Sequence, residues 1–89
     1  MDKSDLKILM IDDEEPAFMM LSAGLSKYGF TVIWEGSHAK EVVLGRIAKD
    51  KPDVIVLDIM FEGKNEGKML LQEIKKSRHK DKPVIMLTN

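Results

Sequence analysis

Lys7-Ile-Leu-Met-Ile11 runs straight into Asp12-Asp-Glu-Glu-Pro16, and this junction decides the fold. The first stretch is apolar except for Lys7, as suits a strand covered on both faces. Pro16 suits a first helical turn, and the acids before it suit the positive end of a helix dipole. Two further apolar runs behave alike: Val54-Ile-Val-Leu57 ends on Asp58, and Val84-Ile-Met-Leu87 ends on Thr88. Residues 30–34 read as one more strand, the second in chain order.

Amphipathic stretches fill the intervals. Residues 16–28 predict a helix with Phe18, Leu21 and Leu25 on one buried face, stopped by Gly29 at the C′ position. Residues 38–49 predict a second, N-capped by Ser37, with Ala39, Val42, Val43 and Ile47 inward. Residues 68–77 predict a third, with Leu70, Leu71 and Ile74 inward. The order β-α-β-α-β-α-β implies a parallel sheet with helices on its faces and right-handed crossovers. The fold class is α/β, a doubly wound parallel sheet.

Composition narrows the functional classes. The chain has 89 residues, room for one domain over 1–89, with 44% hydrophobic and 33% charged residues. Net charge is −1, which points neither to nucleic acid nor to an anionic membrane. The basic cluster over residues 75–82 reads as a solvated helix end. Absence of cysteine excludes a disulfide framework and thiolate metal sites. The N-terminal residues lack the apolar core of a signal peptide, and no apolar run has transmembrane length, so a cytoplasmic location is the default expectation. Met10, Met19, Met20, Met69 and Met86 read as core or helix-face packing, His38 and His79 as solvated, and Trp34 as partly exposed packing on the outer strand.

In a parallel sheet the runs point the same way, so Asp12, Asp13, Asp58 and Thr88 arrive at one rim. Open α/β sheets bind ligands outside the carboxyl ends of their strands. Three carboxylates crowded there repel one another unless a cation joins them, and hard cations such as Mg²⁺ choose oxygen ligands. Metal, carboxylate and hydroxyl together read as a place to receive a phosphoryl group. Alone, each residue has an ordinary structural reading: Asp12 and Asp13 as helix-capping acids, Asp58 as a strand-end turn. Their convergence favours the functional one.

Ile11-Asp-Asp-Glu-Glu-Pro16, then Val54-Ile-Val-Leu-Asp-Ile-Met60, then Pro83-Val-Ile-Met-Leu-Thr88 resemble the receiver domain of two-component response regulators. The resemblance runs the length of the chain and implies a flavodoxin-like fold with Asp58 as phosphoacceptor. It further implies Mg²⁺ held by Asp12, Asp13, Asp58 and the backbone carbonyl of Met60, and Thr88 as the hydroxyl that contacts the phosphoryl group. The implied partner is a sensor histidine kinase or a phosphotransfer protein. The implied role is a phosphoacceptor substrate and switch, sharing in the chemistry of its own phosphorylation, more than an enzyme.

The sequence departs from the family in two places. After the phosphoacceptor the family usually carries a proline four residues on and a glycine about eight on. Here Glu62 holds the first position, and the matching glycine is Gly67, nine on. The family's sheet has order 2-1-3-4-5, whereas this chain supplies strands for 2-1-3-4 only. The lysine of the fifth strand, which pairs with the phosphoryl group in the family, has no counterpart. The fourth strand is then expected at an open edge, where it would pair with a second copy of the chain or with more of a longer protein. Met86, mid-strand, marks that edge.

Two rival readings follow. One is a receiver-like interaction module without phosphotransfer, favoured by the missing lysine. The other is an aspartate-nucleophile phosphohydrolase, which needs a second acid two residues after the nucleophile. Met60 occupies that position.

Overall fold

The computed structural model describes residues 6–60 and 66–87. Thr88 and most of the loop after Asp58, including Glu62, lie outside the described residues. The elements alternate as β1 (Lys7–Ile11), α1 (Glu15–Ser26), β2 (Thr31–Glu35), α2 (Lys40–Asp50), β3 (Val54–Asp58), α3 (Glu66–Lys76) and β4 (Val84–Leu87). The strands form one sheet in the order β2-β1-β3-β4, and every pair is parallel. No helix among the described residues is long and apolar enough to cross a membrane.

Alternation along the strands divides the apolar residues between two faces. Leu9, Ile11, Ile55 and Leu57 form a fully buried core with Val43 and Ile47 of α2 and Leu70 and Ile74 of α3. Each such side chain contributes on the order of 2 kcal/mol by leaving water. The other face carries Met10, in register with both Trp34 and Val56. There α1 lays Phe18 over Trp34, ring centroids 5.9 Å apart and planes 18° from parallel.

The helix faces differ from the periodicity in instructive ways. Phe18, Leu21 and Leu25 are only half-buried, because α1 lies along the β2 side of its face with no second described helix beside it. In α2, Val43 and Ile47 are buried as expected, but Val42 and Ala39 are exposed and Leu44 packs against the core instead. This helix begins at Lys40, so Ser37 is not its N-cap. The Ser37 hydroxyl instead accepts the N–H of Ala39 at 3.1 Å.

Lys7, the single charge in its apolar run, has a partner. Its ammonium donates to the Asp50 carbonyl at the C-terminus of α2 (3.0 Å), and its backbone N–H donates to the Asp53 carboxylate (2.8 Å). Charge of this sign suits the negative end of the helix dipole. Part of the basic cluster is likewise structural: Lys75 donates to the carbonyls of Lys80 and Lys82, and Lys82 to that of Pro52.

Gly29 takes φ 87° after α1, as a glycine past a helix end should. At the end of α2 the left-handed position is held by Lys51, with φ 49° and ψ 57°. A side chain with a Cβ is strained there. Lys51→Gly should therefore raise stability by about 1 kcal/mol in urea unfolding, with Val43 and Ile47 packed as before.

Candidate functional site

The register of β1 against β3 builds the site. Ile11 pairs with Leu57, so the next residues, Asp12 and Asp58, leave the two central strands side by side and toward the same face. One oxygen from each of Asp12, Asp13 and Asp58 falls within a group 4.8 Å across. Asp12 and Asp58 are buried, 6% and 8% exposed, while Asp13 is half-buried. Full charges at that separation in a protein-surface environment repel by about 3 kcal/mol per pair. Burial pushes the Asp12 carboxyl above the usual aspartate value. The charges of Asp58 and Asp13 add to that rise, and the Glu14 N–H opposes it.

Short turns hold the carboxylates. Glu14 N–H donates to Asp12 Oδ1 at 2.9 Å, and Met60 N–H donates to Asp58 Oδ1 at 3.1 Å. Each aspartate thus closes a turn on its own backbone two residues on. The edge strand β2 supports the first of these turns. Asp12 N–H donates to the Glu35 carbonyl (3.1 Å), and the indole N–H of Trp34 donates to the Asp12 carbonyl (2.8 Å). Glu35 is held in its turn by Arg46 of α2, which also binds Asp50 four residues on.

Gly67 sets the far wall. Its N–H donates to the Ile59 carbonyl at 2.9 Å. A Cβ at this position would sit 2.2 Å from the Asp58 carbonyl oxygen and 2.5 Å from Ile59 Cα. Only a glycine lets the first turn of α3 close onto the end of β3. The sequence marks Gly67 as the glycine after Asp58; the contact supplies the reason for it.

Of the predicted site residues, Asp12, Asp13 and Asp58 are brought together, Met60 follows at the same rim, and Thr88 lies outside the described residues. Sequence reasoning missed Trp34 as a support of the acidic turn. Its position at the end of β2, level with the end of β1, was the available signal. His38 is not merely solvated: it meets Glu66 at the start of α3. The cleft these two border, about 270 Å³ between α2 and α3, contains none of the three aspartates.

What the arrangement can do chemically is bind a hard cation and present a carboxylate beside it. The donors fit such an ion: all are oxygens, two are buried, and a cation would offset their mutual repulsion.

Comparison with known proteins agrees. The family profile of the response regulator receiver domain matches residues 8–89. The N-terminal domain of a response regulator receiver protein from Methanoculleus marisnigri JR1 is 32% identical, with a TM-score of 0.80, over 92% of this chain and 65% of that one. The BeF3-activated N-terminal receiver domain of RstA from Klebsiella pneumoniae is 29% identical, with a TM-score of 0.76, over 92% and 66%. The chain thus spans about two thirds of the length of these structures.

Gly67→Ala should destabilise the protein by about 3 kcal/mol, since the new methyl meets backbone that cannot swing aside. Urea unfolding measures the loss, and amide shifts at Asp58 and Ile59 should exceed those at Lys7 and Ile8.

Proposed function

This chain belongs to the response regulator receiver domain family, and from that premise we propose that it accepts a phosphoryl group on Asp58. The observation that carries the reading is the convergence of Asp12, Asp13 and Asp58 within 4.8 Å at the carboxyl rim of the sheet. Asp58 is the nucleophile because it matches the family's phosphoacceptor position, and β4 fixes the chain just after it: Ile59 N–H donates to the Leu87 carbonyl at 3.1 Å. The Met60 N–H orients Oδ1 of the carboxylate. A carboxylate oxygen attacks phosphorus, the O–P bond forms, the bond from phosphorus to the donor's nitrogen breaks, and an acyl phosphate results.

Asp12, Asp13, Asp58 and the Met60 carbonyl are the groups that would hold Mg²⁺, with Asp13 a direct ligand. When bound, the ion offsets negative charge on the phosphoryl oxygens. Thr88 takes the hydroxyl role in the same reading. The partner is a sensor histidine kinase or phosphotransfer protein of the cytoplasm, and the domain acts as substrate and switch, sharing in the chemistry of its own phosphorylation.

Asp58→Asn is nearly isosteric and removes the nucleophilic charge. The wild-type chain should take up label from a small phosphodonor in the presence of Mg²⁺, and the variant should take up none while keeping its fold. Label that persists in Asp58→Asn moves the acceptor elsewhere. Titration of the wild type with Mg²⁺ should shift the amides of Asp12, Asp13 and Asp58 ahead of those of the exposed acids Glu41 and Asp81.

A second reading, of an interaction module, is favoured by β4. Among the described residues this strand is paired on one side only, and Ile85 and Leu87 are 53% and 39% exposed on the α1 face. Unpaired strand edges with apolar side chains are templates for association. Met86 packs toward the core, so Ile85 is the residue through which to test this edge. Sedimentation at rising concentration should show self-association of the wild type and a more monomeric, folded Ile85→Lys variant. Equal behaviour of the two chains excludes the edge as the interface.

A further inference from the structure

We propose that Trp34 is a positioning residue for the acidic site, acting through the backbone of Asp12. The inference rests on the cation-binding reading above and extends it to a residue that supplies no ligand. Four observations carry it. The indole N–H donates to the Asp12 carbonyl at 2.8 Å. The same aspartate is held from its other side, its N–H donating to Glu35 at 3.1 Å. The indole ring is stacked on Phe18 of α1, the helix that the acidic turn leads into. Gly36 leaves the space the indole occupies: a Cβ there would lie 3.0 Å from Trp34 Cζ2.

The consequence is geometric. Asp12 and Asp13 sit on a turn between β1 and α1, and a turn tethered only at its ends can shift its carboxylates. Two hydrogen bonds from β2, one to the Glu35 carbonyl and one from the Trp34 indole, pin Asp12 at both its N–H and its carbonyl. The second comes from a ring stacked on Phe18, half-buried against α1. Asp12 Oδ1 is then aimed by the Glu14 N–H within a frame already fixed. Preorganised ligands of this kind bind a cation without a further ordering cost. Trp34 is also the only tryptophan in the sequence, so movement of the turn registers in its fluorescence and in its indole N–H resonance.

Trp34→Phe keeps an aromatic ring over Phe18 and deletes the donor. It should weaken Mg²⁺ binding on the order of fivefold, the worth of one ordinary neutral hydrogen bond. It should also speed amide exchange at Glu14, while exchange at Ile55 and Leu57 in the core stays as in the wild type. A purely structural role would move the core amides together with Glu14. Unchanged Mg²⁺ affinity with unchanged Glu14 exchange overturns the proposal. If Trp34→Phe fails to fold, the wild-type indole N–H decides. A resonance that moves with the Asp13 and Asp58 amides during a Mg²⁺ titration supports the proposal, and one that stays still overturns it. A wild-type chain whose Asp13 and Asp58 amides ignore Mg²⁺ defeats the cation-binding reading alone. Glu14 exchange in Trp34→Phe then decides whether Trp34 positions the turn.

Discussion

The site depends on the register of two central parallel strands. With Ile11 paired to Leu57, the residues that follow leave the sheet together, and both are aspartates. A slip of one residue would turn every side chain of one strand to the other face. A slip of β3 would turn Asp58 in against Leu9 and Ile11 and drive Ile55 and Leu57 out of the core. The hydrophobic core therefore enforces the placement of the carboxylates, and the energy that holds them close against mutual repulsion comes from the apolar residues behind them.

Around that register the molecule is supported unevenly. One face has α2 and α3 closing over a fully buried cluster. The other has α1 alone among the described helices, and its apolar residues stay half in solvent. The acidic group lies toward this more open face. There Asp12 and Asp58 are buried and Asp13 half-buried, and their backbones are tied down by neighbouring strands and by Gly67.

Small and polar residues do much of this fixing. Gly67 allows α3 to rest on the Asp58 carbonyl. Glu35, one residue past the strand expected over 30–34, receives Arg46 from α2 and lends its carbonyl to Asp12. Lys7 ties the start of β1 to the end of α2. The Lys7–Asp50 and Asp12–Glu35 contacts join elements far apart in sequence, and the others join neighbouring ones.

The sequence by itself determined the alternation of strands and helices, the parallel sheet with order 2-1-3-4, and the convergence of Asp12, Asp13 and Asp58. The alternation and the convergence follow from local signals, namely apolar runs of strand length, helical periodicity and acids placed where the runs stop, whereas the strand order followed from the resemblance to the receiver family. Tertiary structure alone decided which side of α2 faces inward, where Leu44 replaces Val42, because the crossing of helix over sheet sets the buried stripe and several rotations satisfy the same pattern. It alone decided that Ser37 caps nothing and that His38 finds Glu66. It alone joined Trp34 to Asp12, 22 residues apart, because a hydrogen bond between neighbouring strand ends exists only once the strands have paired.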